Sequence, residues 1–411
     1  MKHLLFFLSC LAFPFACHAQ PGNQLVLGKK DSIQSAVLGA KRFFYVHVPT
    51  SGSAASATKK RYPVAYVFDA DAQFASTVSM LQFLSTHYNS VCPEMMVVGI
   101  LHENRRKELT PTHAEVIPPY WDAASTQASG GGEQFLAFIE QELMPYLDRH
   151  YPTQPYKLLM GHSLGGLAAM QTFVHHTPLF NAYVCLDPSM WWDNQALLRD
   201  AKAALETRRF AGTSLYLGIA HTVDDDLDLN TIQADTTFDT KHLRSLLQLQ
   251  GYLEKNKQNG LNYQGKYYAN DSHMSVPFIA AYDAFHFLFA FYPININVSE
   301  EKNPDPGYLV NKIKNHYAYA SKQLGYPVHP AEELVNWNGH NALNQKQYEK
   351  AKRLFDYYLA LYPTTAGAHE GLGDYYHARH ETKKATAYFR QSLAIKESAS
   401  VRKKLEKMQG Q

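Results

Sequence analysis

Five short apolar runs, at residues 64–68, 95–100, 156–160, 182–186 and 215–219, recur along the chain, each bounded by polar or turn-forming residues. Runs that are apolar at every position have both faces buried, whereas a sheet with one wet face alternates apolar and polar residues. They therefore predict strands of a parallel sheet covered by helices. Between them lie helical patterns such as Phe135, Phe138, Ile139 and Leu143, whose spacing places them on one face. This alternation predicts an α/β fold with right-handed crossovers. Two earlier β-like stretches, 32–38 and 43–48, are joined through Gly39 and read as an antiparallel opening pair. A strand at 263–269 completes the sheet, and an amphipathic helix at 278–291 closes a domain spanning 30–297.

With 411 residues, 45 % of them apolar, the chain buries a large core and has length for a second, smaller domain. The net charge is +2 with lysines and arginines scattered, so no basic stripe argues for nucleic acid. Met1-Lys2-His3, the apolar stretch 4–16 and Cys17-His18-Ala19 form a signal-peptide pattern over residues 1–19, with cleavage after Ala19. This predicts export to the periplasm or the medium, and Cys17 lipidation is the weaker alternative. No later stretch predicts a membrane span. Cys92 and Cys185 remain in the mature chain, and in a parallel sheet their strands lie towards opposite edges, so no disulfide is expected.

The polar segment 299–306, with two prolines, reads as a linker to a helical domain at 307–411. There Ala351, Phe355, Leu359 and Ala360 recur 34 residues later as Ala385, Phe389, Leu393 and Ala394, the tetratricopeptide period. Two such repeats predict a small cap or docking domain packed on the first, either a protein-binding module or a stabilising appendage.

Gly161-His162-Ser163-Leu164-Gly165 follows the run 156–160 and precedes a helical stretch at 167–175. This is the strand, sharp turn and helix of a nucleophile elbow, with small residues where strand and helix nearly touch. Ser163 is thus the expected nucleophile. A serine hydroxyl needs a base, a group that orients the base, and donors for the oxyanion. His273, after the last strand, is the expected base, ahead of His221, His175 and His176. The acid is expected past the strand at 215–219, within Asp224, Asp225, Asp226 and Asp228, with Asp224 first and a Ser–His dyad as the alternative. A calcium loop is disfavoured, because Leu229 stands where such a loop needs glycine. Ser129-Gly130-Gly131-Gly132 lacks the lysine of a phosphate loop. Leu164 and the segment Asp69-Ala70-Asp71 are the expected sources of oxyanion amides, Ala70 and Asp71 foremost. No metal or cofactor is called for.

Tyr66 to Asp71, Val97-Val98-Gly99-Ile100, Asn104-Arg105, Leu109-Thr110-Pro111, Gly161 to Gly166, Asp187-Pro188-Ser189-Met190-Trp191-Trp192 and the stretch from His273 to Pro277 occur in an order that resembles one esterase family. It includes esterase D, S-formylglutathione hydrolase, feruloyl esterases and ferric-enterobactin esterases, and the likeness covers roughly residues 30–292. The resemblance implies an α/β-hydrolase fold, Ser163 as nucleophile, His273 as base, and hydrolysis of carboxylic esters through an acyl-enzyme. Siderophore-like or aromatic acyl esters are the implied substrates. Trp191 and Trp192 are then candidates to stack on an aromatic acyl group or to pack beneath the loops, and Arg105 to meet an anionic substrate or to tie its loop down. Acyl transfer on the same fold and a non-catalytic binding role for the helical repeats are the alternatives.

Overall fold

The computed structural model describes residues 25–49, 60–86, 90–114, 127–224 and 232–409. The leader expected at 1–19 and Asp225, Asp226 and Asp228 lie outside them. Eight strands form one sheet: β1 (Lys29–Gln34), β2 (Lys41–His47), β3 (Tyr62–Val67), β4 (Met96–Ile100), β5 (Thr153–His162), β6 (Ala182–Leu186), β7 (Ser214–Ala220) and β8 (Asn262–Tyr268). Their spatial order is β1-β2-β4-β3-β5-β6-β7-β8. β2 runs antiparallel to both its neighbours, and every other pairing is parallel. The opening hairpin and the parallel remainder are those expected from the sequence.

The continuous apolar runs divide by alternate residues between two cores. Tyr66, Val98, Leu159, Tyr183 and Leu217 face one layer, while Val67, Val97, Leu158, Val184 and Tyr216 face the other. β3, β4 and β6 are buried at every position because both of their faces have a partner layer. The first layer is built from α2, which runs from Gly132–Phe138 through a π-helical turn, Ile139–Leu143, into Met144–His150, together with α3 (Leu164–His175), the kinked α4 (Trp192–Thr207) and α5 (Lys241–Lys255). The second is built from α1 (Ala70–Ser85) and α6 (Val276–Leu288). Cys92 and Cys185 are buried and free, and β4 and β6 are separated by β3 and β5.

Beyond Asn297 the chain is helical: α7 (Tyr308–Leu324), α8 (Glu332–Asn344), α9 (Tyr348–Leu361), α10 (Ala366–Ala378), α11 (Thr382–Ile395) and α12 (Ala399–Gln409). The segment read as a linker is held by side-chain contacts. Asn297 caps the short helix Val298–Glu301 in a capping box with Glu300, Lys312 pairs with Glu300, and Lys350 Nζ donates to the carbonyls of Glu301 and Asn303 at 2.6 and 2.9 Å. Nor is the helical part a cap over the strand ends that bear Ser163. Leu324 joins the second core with Tyr156, His316 bonds the Tyr292 carbonyl at 2.9 Å, and Tyr319 meets Phe291 edge-on at 6.4 Å. These contacts lie at the start of β5 and the end of α6, the opposite edge of the sheet from Ser163.

Phe355, one of the recurring aromatic positions, is fully buried between two helices that present bare backbone to it. A Cβ at Gly339 or Gly371 would come within 2.6 or 2.5 Å of its ring. Phe355→Ala is expected to destabilise the helical part by about 3–5 kcal/mol, read from chemical unfolding followed by far-UV circular dichroism.

Candidate active site

The C-terminal ends of parallel strands collect at one edge, where each strand hands over to a loop or helix and leaves backbone and side chains open to a ligand. β5 ends in the expected elbow. Ser163 has φ 59° and ψ −117°, a conformation unfavourable for a residue with a Cβ. The turn is so tight that a Cβ on Gly161 would fall against the carbonyl of Gly165, while one on Gly165 would lie 3.1 Å from the Asp69 carboxylate. The Ser163 amide donates to the Leu186 carbonyl at 3.0 Å, and its own carbonyl accepts from Ser189 at 3.1 Å, so the strained turn is anchored to the end of β6.

His273 reaches this serine from the loop after β8. That loop is fixed by the His221 amide donating to the Asp271 carbonyl at 2.9 Å and by the Ser275 hydroxyl donating to Asp271 at 2.9 Å. His273 Nε2 lies 3.1 Å from Ser163 Oγ, and Nδ1 lies 2.5 Å from Asp187 Oδ2. With the proton on Nδ1 donated to the carboxylate, Nε2 accepts from the serine hydroxyl. The acid in this position is Asp187 at the end of β6, and not Asp224. Asp224 is exposed at the start of the loop after β7, one strand further out than the strand beside β5.

Asp187 is fully buried, in a left-handed conformation with φ 45°. Its Oδ1 accepts from the Ala220 amide at 2.8 Å, and its Oδ2 accepts from His242 Nε2 at 2.8 Å as well as from His273. Burial opposes its charge, yet the adjacent His242 and His273 imidazoles hold its carboxyl well below the usual carboxylate range. Asp187, His242 and His273 are also the one trio among the described residues whose ligand-type atoms lie within 4.8 Å of one another. Their mutual hydrogen bonds account for that proximity. His242 went unnoticed in the sequence because an imidazole in the first turn of an amphipathic helix carries no motif. Asp187 had a signal, a polar residue directly after a wholly apolar strand, in the position Ser163 occupies after β5.

Leu164 opens α3, and Ala70 and Asp71 open α1. First-turn amides have no acceptor within their own helix, and helix N-termini carry partial positive charge. The two N-termini are brought together by Asp69, whose carboxylate stands over Gly165. Asp69 adopts φ 54° and ψ 52°, and its amide approaches His102 Nε2 at 3.3 Å, leaving Ala70 and Asp71 as the first amides of α1. His102 is held in turn by Glu108 at 3.0 Å, and Glu108 receives both terminal nitrogens of the buried Arg42 at 2.7 and 2.9 Å. Arg105 ties the loop down: Nε and Nη2 grip both Asp69 oxygens at 2.6 and 2.8 Å.

Ser163 and His273 open into a cavity of about 640 Å³ whose wall includes Trp191, Phe238, Arg105, Arg106 and His242. The tryptophan pair divides. Trp191 lines the cavity and meets Phe238 edge-on at 6.1 Å, whereas Trp192 is buried and donates its indole N–H to the Thr112 carbonyl at 3.0 Å. Trp192 is therefore a packing residue and not part of the cavity wall.

His162, beside Ser163 in the elbow, is buried with its ring 4.5 Å from that of His273. Burial first, and the neighbouring His273 second, push its imidazole down to about 4. An unfolded histidine titrates near 6.5, so between those values the unfolded chain takes up a proton that the folded chain refuses. Stability is full above about pH 6.5 and falls as the pH drops towards 4, by up to about 3 kcal/mol for this one group. His162→Gln should flatten that part of the stability profile, measured by urea unfolding between about pH 7 and 4.5.

Over residues 35–264, more than half its length, the chain matches the family described as Putative esterase. It is 27 % identical over 186 residues to the siderophore enterobactin esterase of Emericella nidulans, covering 42 % of this chain and 59 % of that protein. It is 30 % identical over 149 residues to the ferri-bacillibactin esterase BesA of Bacillus subtilis, covering 34 % and 51 %. The chain thus spans only about half to three-fifths of these relatives' length. Its structure resembles an IroE-like serine hydrolase from Shewanella oneidensis, with a TM-score of 0.66 and 28 % identity over 81 % of this chain and 99 % of that one. An uncharacterised protein from Capnocytophaga ochracea shares the fold over 93 % of this chain and 100 % of its own, with a TM-score of 0.60 and 19 % identity. The matched span holds the sheet from β2 to the start of β8, the elbow at Ser163 and Asp187 behind it, and the chain belongs to this esterase family.

Proposed function

We propose that the protein is a serine esterase in which Ser163, His273 and Asp187 act together. The observation that carries this is the contiguous line from Asp187 Oδ2 through His273 to Ser163 Oγ, at 2.5 and 3.1 Å, ending on a strained turn at the cavity mouth. His273 takes the hydroxyl proton as Ser163 attacks the ester carbonyl, and the developing oxyanion is met by the Leu164 amide and the first-turn amides of α1, Ala70 and Asp71. His273 then returns the proton to the leaving alcohol. Water, deprotonated by the same imidazole, releases the acid from the acyl-enzyme. Asp187 orients His273 and balances its charge without itself taking the proton.

The substrate class is an ester with an aromatic, anionic acyl part, as in siderophores. The Trp191 and Phe238 rings suit the acyl group, and Arg106 on the cavity wall suits its charge. The named curated relatives are siderophore esterases. The leader in residues 1–19 directs such an enzyme out of the cytoplasm, and the paired helices from α8 onward follow the tetratricopeptide pattern.

Ser163→Ala is expected to lower hydrolysis of a short p-nitrophenyl ester by at least about 10³-fold. Asp187→Asn should cost about 10²–10⁴-fold and Asp224→Asn less than about twofold, compared by initial rates on the same ester. Retention of full activity by Asp187→Asn would return the assignment to a Ser–His dyad. Trp191→Ala should lower kcat/KM about tenfold for a catecholate or feruloyl ester but hardly at all for an acetyl ester. Product analysis with an added alcohol separates hydrolysis from acyl transfer.

A further inference from the structure

Asp187 holds two imidazoles where the proposed reaction uses one. His242, the second residue of α5, places Nε2 2.8 Å from Asp187 Oδ2, the same oxygen that receives His273 Nδ1 at 2.5 Å. The other oxygen is occupied by the Ala220 amide at 2.8 Å, so the two rings converge on one atom. They meet edge to face, with centroids 5.3 Å apart and planes at 87°. His242 is also part of the cavity wall and has 17 % of its side chain exposed, which leaves it neither a sealed core residue nor a surface one.

A carboxylate oxygen that accepts two N–H groups presents less negative charge to each than it would to one alone. The negative field of Asp187 is what favours a proton on His273, and a protonated His273 cannot accept from Ser163. Loss of the second donor therefore strengthens that field and keeps His273 protonated to higher pH. The other groups around His273 are His162 and Ser163 at the end of β5, Asp271 in its own loop, and Arg105, Arg106 and Asp239 on the cavity wall. Among the described residues, only His242 shares the carboxylate oxygen with it.

We propose that His242 is a positioning residue for the esterase reaction: by sharing Asp187 with His273 it fixes the carboxylate and extends the working range of the base towards acid. This rests on the Ser163–His273–Asp187 reading.

The test is a pH series of kcat and KM for p-nitrophenyl acetate with the purified mature chain, His242→Ala, His242→Gln and Ser163→Ala. His242→Ala should lose about tenfold in kcat at neutral pH with KM within about twofold, and the acid limb of kcat/KM should move upward by about half a pH unit or more. His242→Gln, whose side-chain amide donates without titrating, should recover most of the lost kcat and most of the limb position. If the acid limb of His242→Ala stays at the wild-type pH, or moves down, the proposal is overturned, even if kcat falls, since a merely structural residue would lower the rate without moving the limb. If Ser163→Ala keeps the wild-type rate, the reaction reading fails instead. Should His242→Ala not fold, as judged by circular dichroism, His242→Asn takes its place: it is too short to reach Asp187 and is expected to shift the limb the same way.

Discussion

The approach of β5 to α3 at the Ser163 turn governs everything around it. Gly161 stands so close to Gly165 that it tolerates no side chain, and Ser163 between them is driven into a conformation that a residue with a Cβ avoids. Such strain persists only when its surroundings over-determine it. Here the amide and carbonyl of Ser163 are tied to the end of β6, and the Asp69 carboxylate, gripped by Arg105, closes the other side. The same tightness brings the N-termini of α1 and α3 together, so the Ser163 hydroxyl and the first-turn amides are placed by one packing constraint.

The second constraint is electrostatic. A carboxylate sealed beneath the cavity is costly unless its lone pairs are taken up by donors. Asp187 meets that condition with one backbone amide and two imidazoles, and it does so from a left-handed backbone that turns its side chain back under the elbow. A parallel arrangement serves the amides of α1: Arg42, Glu108 and His102 form a buried chain that ends on the amide of Asp69. Both sides of Ser163 are thus braced by buried charge connected to the sheet.

Most of the sheet was legible because wholly apolar runs have few alternatives to a doubly covered strand, and β6 matches its expected bounds residue for residue. Ser163 and His273, which the structure brings within 3.1 Å of each other, could be singled out because each follows a strand directly or by a short loop. The carboxylate that meets His273 was not, since sequence order favoured the aspartate run after β7 while spatial order places β6 against β5. His242 and His162 were invisible for another reason: their parts depend on which rings and carboxylates meet across the chain, and a histidine in a helix or beside a serine has no period to betray it. Trp191 and Trp192 are adjacent, yet one lines the cavity and the other bonds the Thr112 carbonyl, a division that adjacency in sequence does not announce. The polar segment after Asn297 has the composition of a linker, but Lys312 from the next helix and Lys350 from α9 clamp it.

The helical part packs where β5 begins and Ser163 stands where β5 ends, so the sheet separates them by about 20 Å of extended backbone. The contacts between the helices and the sheet therefore lie away from the residues that line the cavity. A change in the helices that touch the start of β5 is therefore separated from the loops around Ser163 by the length of the strand, and either end can vary without displacing the other.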